Sequence, residues 1–481
     1  MSSNRLVFDY DPVIPSRSSQ ELASDAEPSL RNSEASGSTR DTPAQAAAGQ
    51  PLPNTVPHET WQTAVLKRGH SLSYAGLFLF TLFVYFRPYE LIPALSPLTS
   101  AAYYIAILTI LVFFPSQLGL EGTLTLRPRE VNLVLLLCLG ALLSIPLAIN
   151  PGEAWEMFNE YLKVVLMFIV LVNVVRTERR LKILLLLLLV GSCILSMNAV
   201  SDYRAGRLTM GGERISGIIG GMFGNPNDLA MHLATMVPIA VALFLVSRGP
   251  HRKLFYGAAA LVMATGTVVT FSRGGFLGLA GSGLFLAWKL GRRNRPVVMT
   301  ATLVVAIAFF AFAPGDYGTR LKSIVDDSDS GGSAGAREAL LEKSIIVSIA
   351  NPVFGVGMAN FHILAAREQV THNSYTQVGS ELGMFSMFCY ILFLLKPLSR
   401  LRRIEQETLN VREMTRDYYL AVGLQASLVA YMIGSFFISV AYLWYVYYLV
   451  GFAFCFSRMY EAKAVNRTKQ LETPPVSFAA S

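Results

Sequence analysis

Twelve apolar runs dominate this chain, at about 73–90, 99–116, 131–149, 157–175, 182–200, 228–247, 254–271, 274–290, 297–314, 376–395, 417–437 and 440–457. Each is long enough to cross a hydrocarbon core of ~30 Å as a helix. Lipid offers no hydrogen-bond partner to the backbone, so such runs fold as helices and not as open strands. Only 15% of the residues are charged and 53% are hydrophobic, too few charges to cover a soluble protein of this length. The expected class is an all-α polytopic membrane protein with about 12 transmembrane helices.

Lysine and arginine in the connections set the orientation. The second, fourth, sixth, eighth and tenth connections hold 19 of them, including Arg176, Arg292 and Arg402. Setting aside the long ninth, the odd-numbered connections hold 5: Arg87, Arg204, Arg207, Arg214 and Arg273. This imbalance predicts that the even connections and both termini are cytoplasmic. The ninth connection, 315–375, then lies outside. Its segment 336–349, AREALLEKSIIVSI, has helical apolar spacing and is expected along the membrane surface.

Residues 1–70 are rich in Ser, Ala, Pro, Glu and Arg and read as a disordered cytoplasmic tail, with no pattern of a cleaved signal peptide. Residues 458–481 form a C-terminal cytoplasmic tail. The net charge of +8 is scattered in short clusters between apolar runs, as topology-setting charges are, so no nucleic-acid partner is expected. Cys138, Cys193, Cys389 and Cys455 all fall within apolar runs without metal-ligand spacing and read as core residues.

Topology filters the reactive residues. Of six histidines, only His362 and His372 stand outside in polar sequence. An outward arginine breaks the charge bias, which singles out Arg214 in GGERISGIIGGMFGNPNDLA (211–230) and Arg273 in FSRGG. A side chain that snorkels to lipid headgroups is the alternative for Arg273. Asn225 and Pro226 mark a helix start whose free N–H groups and partial positive charge suit a phosphate, while an ordinary re-entrant turn fits the same glycines. No complete GxxxxGK[ST] or GxGxxG string occurs; Gly355-Val356-Gly357 lacks the third glycine, which disfavours nucleotide binding. His372 precedes a helix on which Asn373, Gln377 and Glu381 are spaced by four, sharing one face. A neutral imidazole there can accept a hydroxyl proton, or it simply caps the helix. Asp327-Ser328-Asp329 has the form of a metal-holding DxD string and equally that of a solvated turn. No metal is expected.

Four strings in order, RISGIIGGMFGNPNDLA, TFSRGG, AREALLEKSIIVSIANPVFGVGMANF and HNSYTQVGSELG, resemble the O-antigen ligase and polymerase family of bacterial envelope glycosyltransferases. The resemblance is strongest over 205–395, within a transmembrane domain of 71–457. It implies a C-type membrane glycosyltransferase fold in the bacterial inner membrane, with a periplasmic loop between helices nine and ten and a periplasmic active site. It implies an inverting, metal-independent transfer with no cofactor, from an undecaprenyl-diphosphate-linked glycan to a hydroxyl of lipid A-core or a similar acceptor. A repeat-unit polymerase has the same donor chemistry. A lipid-linked glycan transporter is the non-enzyme alternative, disfavoured because the polar residues gather at one face and not at mid-membrane. By the resemblance, Arg214 and Arg273 bind the donor diphosphate, with Arg337 a candidate for the same anionic surface; the helix start at Asn225 is expected to assist them. His372 activates the acceptor, and Asn373 and Glu381 support it.

Overall fold

The computed structural model describes residues 69–207, 214–292, 295–296, 333–365 and 369–472. The described residues belong to one compact unit, His58–Ser481, and form helices and no sheet. The tail 1–68, the apolar run 297–314 and Asp327-Ser328-Asp329 lie outside the described residues.

The helices follow the apolar runs. Helices α1 (Ser71–Phe86), α2 (Ala101–Glu121), α3 (Arg129–Ser144), α4 (Pro151–Val174) and α5 (Glu178–Arg204) lead to α6 (Pro226–Val246), α7 (Pro250–Val269) and α8 (Arg273–Gly291). After these come α9 (Ser333–Ala350), α10 (Ser374–Leu382), α11 (Met384–Thr408), α12 (Thr415–Gly434) and α13 (Trp444–Glu472). Among the described residues, six segments are long and apolar enough to cross a membrane: α2, α3 extended to Leu147, α4, α5, α6 and α11.

The starts follow from local sequence. Asn150, Thr177, Asn225, Ser272 and Asn373 cap α4, α5, α6, α8 and α10 through their side-chain oxygens, and proline follows directly in α4 and α6. Two apolar runs are broken. The first stops at Phe86 because Arg87 takes a left-handed φ of 41° and Pro88 opens a new short helix. The tenth, read as a single helix at 376–395, is divided by Gly383 at φ 86° into α10 and α11. A Cβ at Gly383 would overlap the Val353 carbonyl, so the break is tied to the loop that crosses there. The last helix also continues beyond its apolar run to Glu472.

The core is built on α6 and α13, whose inner faces are almost fully buried. Helix α8 lies close against both α6 and α12. A Cβ at Gly275 would strike Ala230, and one at Gly278 would lie 2.7 Å from the Ala430 carbonyl oxygen. Small residues give membrane helices this proximity, where dispersion contacts replace a hydrophobic drive.

Bonds between connections fall into two sets. The Gly220 N–H donates to Glu90 Oε2 at 2.6 Å, and Ser272 Oγ donates to Asn227 Oδ1 at 2.8 Å. The Asn150 N–H donates to Asn360 Oδ1 at 2.6 Å, and Thr371 Oγ1 meets Ser439 Oγ at 2.7 Å. These join the odd-numbered connections to one another. At the other set, Tyr74 Oη donates to the Arg180 carbonyl at 2.9 Å, Arg176 pairs with Glu121 at 2.5 Å, and Arg416 pairs with Glu178 at 2.5 Å.

Candidate active site

Three helix starts converge at the end where the odd connections meet. Helix α6 begins at Asn225, whose Oδ1 accepts from the Asn227 N–H at 2.8 Å. Asn227 in turn holds Ser272, the cap of α8, so the first turns of α6 and α8 are tied side chain to side chain. Helix α10 begins at Asn373, whose Oδ1 accepts from Tyr375 and Thr376 N–H at 2.9 and 3.1 Å. The connection from α12 to α13 links these starts. Ser374 donates its N–H to the Ser435 carbonyl at 2.8 Å, its Oγ donates to the Ile438 carbonyl at 2.7 Å, and that Oγ accepts from Val440 N–H at 2.9 Å. Ile438 also lies 3.0 Å from where a Cβ on Gly274 would stand, in the first turn of α8. Each start contributes outward N–H groups and partial positive charge.

Three guanidinium groups join them. Arg273 is the first residue of α8, Arg337 lies in α9, and Arg214 precedes the glycine-rich segment; all three are half-buried. Burial, then the charges of Arg214 and Arg273, lower the pKa of Arg337. Helix α9 is held against α10 where Ser344 Oγ donates to Thr376 Oγ1 at 2.8 Å.

His372 stands beside them in a left-handed conformation, φ 51°, immediately before the α10 cap. Burial, followed by the charges of Arg337 and Arg214, lowers its imidazole from 6.5 to about 4. Its ring is therefore neutral at physiological pH. The second candidate histidine is engaged elsewhere: His362 Nδ1 meets the Ala359 carbonyl at 2.7 Å and Nε2 lies 3.4 Å from Glu153 Oε1.

Arg337 is thus within electrostatic reach of Arg214 and Arg273, and His372 within reach of Arg337 and Arg214, with Asn225 and Asn373 as caps of two converging helices. Glu381 is set apart from them, buried near the last turn of α10 beside Tyr442, with Oε2 unpartnered among the described residues. Gly355 and Gly357 of the incomplete glycine string both have positive φ; Gly355 packs on the backbone of Glu381, and Gly357 packs on Ala148 while its N–H donates to the Glu381 carbonyl. Their use is backbone packing. Among the described residues, no group of three or more His, Cys, Asp and Glu side chains is placed to hold a metal ion.

Several site-building residues escape sequence reading. Arg87 pairs with Glu90, and this pair clamps the glycine-rich segment: Glu90 accepts from Gly220 N–H, and a Cβ on Gly221 would collide with the Arg87 guanidinium. The i, i+3 spacing of Arg87 and Glu90 was the available signal. Ser272, Asn227 and Ser374 act across long sequence separations and had none beyond their cap positions.

The assembly can receive an anion of several charges on fixed N–H and guanidinium donors, with a neutral base at its edge. No curated protein matches the chain. Residues 258–391, which include Arg273, Arg337 and His372, match the O-antigen ligase family model. Over that stretch the chain is similar to the O-antigen ligase family.

Proposed function

We propose that this protein is an integral membrane glycosyltransferase that moves a glycan from undecaprenyl diphosphate to an acceptor hydroxyl of lipid A-core or a similar anchor. The observation that carries the proposal is the shared electrostatic field of Arg214, Arg273, Arg337 and His372 among three helix starts. In this reading the twelve apolar runs cross the inner membrane, both termini are cytoplasmic, and the odd connections form a periplasmic active site.

His372 accepts the proton of the acceptor hydroxyl as that oxygen attacks the anomeric carbon from the face opposite the diphosphate. The C–O bond to the diphosphate breaks, its electron pair stays with the departing oxygen, and the anomeric configuration inverts. Arg214, Arg273 and Arg337 meet the charge that develops on the leaving group, aided by the N–H groups at the start of α6. The chain's own groups supply the base and the leaving-group stabilisation, so the mechanism invokes no metal.

Transfer by purified protein from a defined lipid-diphosphate donor is the test. Arg273→Ala should lower turnover about a hundredfold, equivalent to roughly 3 kcal/mol of transition-state stabilisation. Near-native transfer by both Arg273→Ala and His372→Ala would refute the assignment. Offering lipid A-core and a second lipid-linked glycan as competing acceptors separates ligation from repeat-unit polymerisation by product length.

A further inference from the structure

Where the even connections meet, a groove opens between α5, α6, α12 and α13. Leu185, Ile239, Leu243, Val246, Leu424 and Phe456 form its wall, and none of these side chains offers a hydrogen bond. Its volume is about 560 Å³ counting the open mouth. Toward the first turns of α5 and α12 the lining changes to Glu178, Lys182, Arg416 and Asp417. An apolar trough beside a charged mouth suits a molecule with one hydrocarbon part and one ionic part.

The charges at the mouth do not balance. Glu178 pairs with Arg416 at 2.5 Å and also with Lys463, and Lys463 lies 3.8 Å from Asp417 Oδ1. Both carboxylates are therefore claimed. Lys182 stands in the field of Arg416, Arg252 and Lys463 as well as that of Glu178. Lys182 and Arg252 are exposed and make no hydrogen bond or salt bridge among the described residues. Four cations thus meet two carboxylates, an excess of two positive charges. Arg252 also lies in the first turn of α7, whose partial positive charge adds to its own.

We propose that this groove binds one anionic phospholipid, with its phosphate at Lys182 and Arg252 and the upper methylene groups of one acyl chain against Leu243, Val246 and Leu424. A phosphate diester supplies the missing negative charge, whereas a zwitterionic headgroup brings an ammonium that the excess cations repel. The groove lies at the end opposite the candidate active site, in the leaflet that the charge bias predicts to be cytoplasmic. Its occupancy is therefore separate from glycosyl transfer and is tested without it.

Full-length protein in detergent, stripped of lipid, is titrated with phosphatidylglycerol or with phosphatidylcholine of the same acyl chains, and retained lipid is counted by native mass spectrometry. A single phosphatidylglycerol should be retained saturably under conditions that remove phosphatidylcholine. Lys182→Gln and Arg252→Gln change exposed side chains away from the candidate active site, and each should weaken retention about fivefold, the effect of one basic residue at a lipid surface. Val246→Trp keeps every charge but fills the groove, and should release the lipid as well. Equal retention of the two lipids overturns the proposal, as does phosphatidylglycerol retention that survives Lys182→Gln combined with Arg252→Gln. Full competition by glycerol phosphate overturns it too, because the headgroup would then bind without its chains. If Val246→Trp does not fold, the headgroup comparison and the two charge variants still decide the matter.

Discussion

His372 illustrates how a base is tuned by cations. Burial and the charges of Arg337 and Arg214 all favour its neutral form, so the proton it would release at pH 6.5 in an unfolded chain is held in the protein only near pH 4. The ring is neutral throughout the physiological range, and the nearby arginines keep it a weak base. Under the proposed function, a bound diphosphate would cancel their contribution and strengthen the base in the complex where it is needed. The acid limb of kcat/KM, which reports the free enzyme, should therefore fall near pH 4. Arg337→Gln removes one depressing charge and should move that limb toward 6.5, while burial keeps it from arriving there. A limb unchanged by Arg337→Gln would separate His372 from the arginine field. The sign for stability follows by linkage. The folded state refuses a proton that the unfolded chain accepts, so this contribution is complete above pH 6.5 and declines as pH falls from 6.5 through 4. His372→Gln should flatten that part of a stability profile measured by chemical denaturation.

Helix starts carry the site's construction. Ser272 does two jobs with one hydroxyl, accepting from Gly275 N–H at 3.4 Å and donating to Asn227 at 2.8 Å, so it caps α8 and ties it to α6. Ser272→Ala should cost about 1 kcal/mol in stability. It should also lower transfer, because Arg273 follows directly and would lose its register against α6; denaturant midpoints and turnover measured on the same preparation check both. The sequence discloses these starts because a cap needs only its own neighbours: Asn225-Pro226 and Asn373 are visible as helix beginnings without knowledge of the fold. The charge bias likewise exposes Arg214 and Arg273, since each interrupts a local regularity. Convergence is a different matter. Arg214 and His372 are brought together by α6, α8, α10 and the Ser435–Val440 segment, and no local pattern encodes that meeting. Gly383 was hidden for a related reason: within 376–395 it is one small residue in an apolar run, and only the crossing Val353 carbonyl makes its left-handed φ a division between two helices. Gly383→Ala should be strongly destabilising, by about 1–3 kcal/mol from φ strain before the clash is counted, a loss readable as a lower denaturant midpoint.

On the scale of the whole molecule, lysine and arginine counts and the bonds between connections arrive at the same division by independent routes. One rests on charge in sequence, the other on contacts such as Glu90 with Gly220 and Ser272 with Asn227 at one end, and Arg416 with Glu178 at the other. Two ends that differ in this way suit a protein whose charged substrate is handled on a single side, because a diphosphate cannot be released into hydrocarbon and must be met where water and lipid adjoin. Exposed positions on the two ends should then label from opposite sides. In a variant whose Cys138, Cys193, Cys389 and Cys455 are replaced by alanine, Ser96→Cys lies on the first connection and Glu413→Cys on the tenth; both native side chains are exposed. A membrane-impermeant maleimide applied from the periplasmic side should modify Ser96→Cys and leave Glu413→Cys untouched until the membrane is opened. The reverse pattern would turn the molecule over and place Arg214, Arg273 and His372 in the cytoplasm, where a periplasmic acceptor could not reach them.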